Sequence, residues 1–325
     1  MYKQIICISL LCALQVRNIA VFLSMYEGVA LMANPAHLRL FFEPERWDIW
    51  RQQNLDIMPD LSKADLSGGE IWTDALQYVD ASGSTFHYMN LVGANFDGAL
   101  LVGASLSTAI LIEASFIEAD LRGADLFAGM GSGVDMSAAN LQGAFLVSVS
   151  MNDAKLCGAD LRKATVRKAT LERSDFRGAN LAGIHASECA IYDANVADAD
   201  LTGADFRWAT LSRTNLLEAR NGHDLMHLRL RGSSLRETNL RGALMRNMDL
   251  RNVFFEKADL RGADLRGADL TKAFFDHTMV ADTLFDGALV DWDRVTRSHD
   301  LLTSNEGPDW DAWKTWEDEE EDDEL

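Results

Sequence analysis

His223 and His227 are four residues apart, the spacing that sets two imidazoles on one face of an α-helix around a metal ion. Arg220 and Arg229 flank them, but Asn221-Gly222 is a strong turn signal, so no helix is expected and no metal site is assigned. Cys7, Cys12, Cys157 and Cys189 lack any C-x-x-C spacing, which argues against a zinc ribbon or a disulfide framework and favours a reducing, cytoplasmic setting. Carboxylates are abundant, yet they recur at intervals of five rather than converging as an acid–base pair. With no phosphate loop and no nucleophile beside a base, no catalytic, cofactor-binding or metal-ligating residue is expected, and the chain reads as a non-enzyme.

The same interval governs the apolar residues. From Leu61 to Leu216 there are 32 positions five apart; 23 hold Leu or Phe and six more hold Ile, Met or Val, so the register is sustained without a helix or strand period. Ala precedes the central residue by two positions in 19 of those units, and the commonest form is A-(D/N)-L-x-x, as in Ala119-Asp-Leu-Arg-Gly123. On an α-helix a five-residue step drifts by about 140° per repeat, and on a continuous strand an odd period alternates faces. A three-residue extended piece followed by a two-residue corner satisfies the pattern. The small residue and the Leu then face inward and the Asp or Asn outward. Gly at the second corner position, as at Gly98, Gly103 and Gly123, suits a turn that needs positive φ.

Four corners close a coil of twenty residues, with coils stacked at about 4.8 Å. At this point the sequence resembles the pentapeptide-repeat family over about residues 57–290. The resemblance implies an all-β, right-handed quadrilateral β-helix. It also implies two functional classes, a protein-interaction scaffold and a DNA-mimicking modulator of DNA gyrase.

The expected organisation has five parts: an apolar leader (1–31), a helical N-terminal cap (32–56), a first register (57–220), a second register (221–292) and a Trp-rich acidic tail (293–325). In the cap, Asn34-Pro35 reads as N-cap and first helical residue, and Trp47 and Trp50 share one face of a second short helix. The leader supports two readings, translation starting at Met32 or an export or membrane signal, the latter giving an exported or tethered protein. The tail places Trp310, Trp313 and Trp316 ahead of eight consecutive acids and is expected to be disordered, with the tryptophans available to dock as a cap or dimer contact.

Two breaks interrupt the repeat. Central residues end at Leu216 and resume at Leu225, one residue short of two repeats, which predicts a bulge or a tightened coil at Asn221, Gly222 and His223. Gly131 occupies a core slot, which predicts a distorted corner or a small void.

The net charge is −20, and half of it lies in residues 306–325, which carry eleven acids and one Lys. The rod is therefore only moderately acidic, and Arg231, Arg236, Arg241, Arg246, Arg251, Arg261 and Arg266 stud its second half beside compensating acids. This favours a scaffold over a DNA mimic, and no net basic face supports direct nucleic-acid binding. Leu100, Val102, Ile110, Ile112 and Ile117 fall in outward slots of one coil, with Trp72, Val92 and Met130 near the same faces, and are the expected surface for a protein partner or homodimer.

Overall fold

In one repeat, Ala119-Asp-Leu-Arg-Gly123, every backbone N–H has a partner. Asp120 donates to Ala99 O (2.9 Å), Leu121 to Asn140 O (2.8 Å) and Gly123 to Gln142 O (3.0 Å), all in adjacent coils. Ala119 closes the preceding corner on Phe116 O at 3.1 Å. The fifth N–H, of Arg122, has no carbonyl within reach and donates to Asp120 Oδ1 at 3.2 Å. Asp or Asn is thus chosen at the outward position because its short side chain satisfies the corner of its own repeat. The same bond recurs at Asn95, Asn140, Asp160 and Asn180.

Repeated along the chain, this pattern builds a solenoid. The computed structural model describes residues 33–67 and 76–291. Parallel bridges join residues twenty apart in four columns, one for each side of the coil. The first side carries Leu100, Asp120, Asn140 and Asp160; the second Asp125, Phe145, Thr165 and His185; the third Ile110, Met130, Ser150 and Thr170; the fourth Ser115, Asp135, Lys155 and Asp175. Most strands are single bridged residues, and only β1 (Asp269–Leu270) and β2 (Leu289–Val290) are longer among the described residues. Leu, Phe and Ala fill a continuous core, in which Phe96 stacks on Phe116 at 5.0 Å. At several repeats where Ser or Thr replaces the inward Ala, its hydroxyl donates to a carbonyl 23 residues earlier: Ser84 to Leu61 O (2.6 Å), Thr214 to Ile191 O and Thr278 to Phe255 O (both 2.7 Å).

Two helices precede the first coil, α1 (Pro35–Phe41) and α2 (Pro44–Gln53), and Asn34 Oδ1 accepts from the Ala36 N–H at 2.9 Å as an N-cap. Trp47 is buried, with Trp50 6.0 Å and Phe41 5.8 Å away between ring centres. The helices supply bonds that an earlier coil would have supplied. Asp60 N–H donates to His37 Nδ1 at 3.0 Å, and the Arg51 guanidinium donates to Ile57 O and Gln77 O, both at 2.9 Å.

Of the two expected irregularities, the first takes its bulge form rather than its tightened one, and the second differs from its sequence reading. Asp205 bridges Arg229 and Thr210 bridges Ser234, so the coil between them has 24 residues where its neighbours have twenty. It is not tightened by one residue but enlarged by four, through a 3-10 turn at Leu216–Glu218 and the Asn221-Gly222 turn. In a five-residue register the loss of one and the gain of four are the same shift. At Gly131 the ladder runs on undistorted, its N–H reaching Ser150 O at 2.7 Å. A Cβ there would lie 3.2 Å from Met151 Cγ, so Met151 fills the space expected to be void.

The long coil has a local cost. The hydroxyl of Ser233, in the inward slot just beyond it, has no hydrogen-bond partner among the described residues. Ser233→Ala is therefore expected to raise stability by about 1 kcal/mol, whereas Thr214→Val, which deletes a satisfied bond, lowers it by about 1 kcal/mol. Urea unfolding of the two variants checks the opposite signs.

A second prediction concerns His37. Burial lowers its pKa from the ordinary 6.5, against the raising influence of Asp60, and the unprotonated Nδ1 is what accepts from Asp60. Because folding depresses this pKa, the unfolded chain binds the extra proton. The stability contributed is complete above about pH 6.5 and is lost as pH falls through and below that value. His37→Gln keeps an acceptor that does not titrate, so its melting temperature should fall less than that of the parent between pH 7.5 and 5.5.

Candidate interaction surface

Outward side chains follow from the column they occupy, and the four columns differ in charge. Asp or Glu appears among the bridged residues of the first, second and fourth sides. On the third side the outward residues are Asn90, Ile110, Met130, Ser150, Thr170, Ala190 and Thr210, continuing beyond the enlarged coil as Ser234, Phe254 and Phe274. None is charged, over nine coil steps or roughly 43 Å of rod.

The N-terminal part of this side is apolar. Ile110 bridges Met130, which is 47% exposed, and Val92 and Ile112 stack at its edge towards the fourth side, at 49% and 36% exposure. Phe127 and Tyr88 stand exposed on the opposite edge, towards the second side. Of the expected patch, the structure brings together Ile110 and Ile112 with Val92 and Met130, the last two expected near the same faces. Leu100 lies on the first side, two corners from Ile110, with Val102 and Ile117 at the corners of that first side. A coil wraps the rod, so residues close in sequence within one coil face different ways. Contiguity comes from twenty-residue spacing, and that spacing would also have found Phe127 and Tyr88. Trp72, Trp310, Trp313 and Trp316 lie outside the described residues.

Electrostatically the other sides are compensated in part, mostly in the C-terminal half of the rod. In seven repeats the outward Asp is gripped by the Arg two residues later: Asp120–Arg122, Asp160–Arg162, Asp175–Arg177, Asp205–Arg207, Asp249–Arg251, Asp259–Arg261 and Asp264–Arg266, each with Nη2···Oδ2 of 2.6–2.7 Å. The Arg122 hydrogen bonds hold Asp120 below the ordinary carboxylate value against the opposing effect of burial, and Arg251 does the same for Asp249. Asp264 is held far lower, by Arg266 first and by Arg246 as well. Apart from the buried Asp259–Arg261 pair, these forks have solvent-exposed guanidinium groups and contribute little stability, but they remove the negative potential that a bare column of acids would project.

The enlarged coil brings its polar residues into a loop without a metal constellation. Asn221 Nδ2 lies 3.0 Å from Thr202 Oγ1 and 3.2 Å from His227 Nε2, while His223 packs over Gly242. Gly222 takes φ +53°. The two imidazoles therefore engage different neighbours. Buried Cys189 has its thiol pushed up to about 12 by desolvation.

Against known families, the model described as Pentapeptide repeats matches in eight copies, over residues 90–126, 135–173, 158–189, 191–220 and 238–276. The match lapses between 220 and 238, where the enlarged coil turns. No curated protein matches the chain. Among solved structures, HetL, a pentapeptide repeat protein involved in heterocyst differentiation regulation from the cyanobacterium Nostoc, is 24% identical; the match covers 71% of this chain and 95% of that one, with a TM-score of 0.24. Full-length QnrB1, a plasmid-mediated fluoroquinolone resistance protein, is 15% identical over 73% of this chain and 95% of its own, with a TM-score of 0.25. A pentapeptide repeat protein of the Arabidopsis thaliana thylakoid lumen is 19% identical over 50% and 85% of the respective chains, with a TM-score of 0.19.

Proposed function

Because the chain belongs to the pentapeptide-repeat family, we propose that it is a non-enzymatic scaffold, a right-handed quadrilateral β-helix capped by α1 and α2, whose uncharged third side binds a protein partner. The observation that carries this reading is the column from Asn90 to Phe274, which presents no charge while every other column does. The centre of a protein interface is depleted in charge and rich in aromatic residues and Met, and Ile110, Met130, Phe127 and Tyr88 have that composition. A DNA-like modulator of gyrase would need an uncompensated negative rod, and the seven Asp–Arg forks weigh against that alternative. The free thiols of Cys157 and Cys189 support a cytoplasmic setting. The export and membrane alternatives rest on residues 1–31, which lie outside the described residues.

The test is a double substitution, Ile110→Asp with Met130→Asp. Both side chains point outward, so the β-sheet circular dichroism should be unchanged. Partner affinity should fall at least tenfold, about 1.4 kcal/mol. Sedimentation velocity tells whether the partner lost is a second copy of this chain. Unaltered affinity in the folded double variant would overturn the reading, and inhibition of gyrase supercoiling by the parent protein would restore the alternative.

A further inference from the structure

The corner between the second and third sides is basic in an acidic protein. From the N-terminal end it carries Arg167 and Lys168, then Arg207, then Arg231 with Arg229 beside it, then Arg251 and finally Lys272. Five acids stand among these seven cations, the last being Asp291 beside Lys272. Glu188 meets Arg167 at 2.8 Å, Asp205 is shared between Arg207 and Arg229, and Arg251 reaches Asp249 at 2.6 Å and Asp269 at 3.5 Å. Seven against five leaves a surplus of two cations along one edge. The Nε of Arg231 is buried without a hydrogen-bond partner, and neither Arg231 nor Lys272 has an ion-pair partner within 4.0 Å among the described residues. The adjoining third side adds no acid to offset this surplus.

Beside the foot of this ridge stands an aromatic step. Phe254 and Phe274, outward on the third side, stack at 4.6 Å with their planes 1° apart and remain 39% and 41% exposed. Phe254 follows Arg251 by three residues, and Phe274 follows Lys272 by two. The edge thus reads, from its C-terminal end, as an aromatic platform and then a run of guanidinium groups.

The chain reaches the same place. Asp291 is the last described residue, and its Oδ2 accepts the Lys272 N–H at 3.0 Å, so the described chain ends at the foot of the basic corner. The sequence beyond Asp291 has the complementary order: Trp310, Trp313 and Trp316 first, then eight acids from Glu317 to Glu324. Nineteen residues separate Asp291 from Trp310, an extended reach of roughly 60 Å, whereas Lys272 and Lys168 are five coil steps or roughly 24 Å apart.

We propose that this corner is the docking surface for residues 308–324 of the same chain, with the tryptophans against the Phe254–Phe274 step and the acids along Arg251, Arg231, Arg207 and Arg167. Aromatic meets aromatic at the foot and acid meets guanidinium beyond it, and both orders run the same way from Asp291. The surface is distinct from the Ile110–Met130 patch. Occupied by its own chain, the C-terminal half of the third side is closed to other proteins while the N-terminal half stays open.

Zero-length carbodiimide cross-linking of the full chain, followed by peptide mass spectrometry, tests this directly. Lys168 and Lys272 lie on the corner, while Lys155 and Lys163 lie away from the third side and serve as internal controls. At low salt, acids 309–324 should link to Lys272 and Lys168 at least fivefold more than to the controls. Mixed isotope-labelled copies should show these links within one chain. In 0.5 M NaCl they should be lost, because screening shortens the reach of the charges to a few ångströms. The charge reversals Arg231→Glu and Arg251→Glu should also remove them. Equal linking to the control lysines, links only between copies, or none to the described lysines would each overturn the proposal. The salt arm uses the unaltered chain and holds even where the double variant fails to fold.

Discussion

Every coil is tied to the next by backbone hydrogen bonds that close only when the chain returns to the same side after a fixed number of residues. That return needs four corners, and each regular corner needs a residue in the left-handed region whose N–H still points at a carbonyl in the adjacent coil. Among the described residues 42 have positive φ, and only 17 of them are glycines. Each of the 25 others accepts roughly 1–2 kcal/mol of local strain, so the ladder and the core together must outweigh a cost repeated along the whole rod. Bulky residues manage it by leaning over the following coil, where glycine makes room. The Tyr78 ring lies against Gly98 and the Trp208 ring against Gly232, so close that a Cβ there would sit 2.4 and 2.2 Å from them.

The outward Asp or Asn belongs to the same constraint. Taken as a polar surface residue, it looks interchangeable with any other. Its carboxylate or amide is in fact the acceptor for the one N–H of each corner that neither the turn nor the neighbouring coils can satisfy. Arg in the next position but one then finds that carboxylate already held in place. The forks that offset part of the rod's negative charge thus originate in the needs of the backbone.

The period of five, the inward Ala and Leu, and the Asn34-Pro35 helix start were legible because each is a local requirement written in residue type. The enlarged coil was not, since a register counts residues modulo five and cannot distinguish one lost from four gained; only the bridges of Asp205 to Arg229 and Thr210 to Ser234 do so. Gly131 misled for a related reason. An empty slot is visible in one dimension, but Met151, which fills it, comes from twenty residues away. The apolar coil around Leu100–Ile117 grouped outward residues along the wrong axis, because adjacency on this surface runs along columns. The uncharged third side becomes visible once the residues are sorted that way.

The enlarged coil also divides the rod by direction. Bridges cross it on the second and third sides, whereas no bridge joins Asp200 or Asn215 to the next coil on the first and fourth. Two adjacent seams are therefore unbroken, while on the two opposite them the ladder is interrupted and the coils are joined by Asp198 N–H to Glu218 O (2.9 Å) and Arg220 N–H to Ala199 O (2.8 Å) instead. Such a beam bends most easily in one plane, with the interrupted edge opposite a spine formed by the corner of Arg207, Arg231 and Arg251. Whatever grips that spine sets the bend of the rod, and with it the angle between the two lengths of the third side.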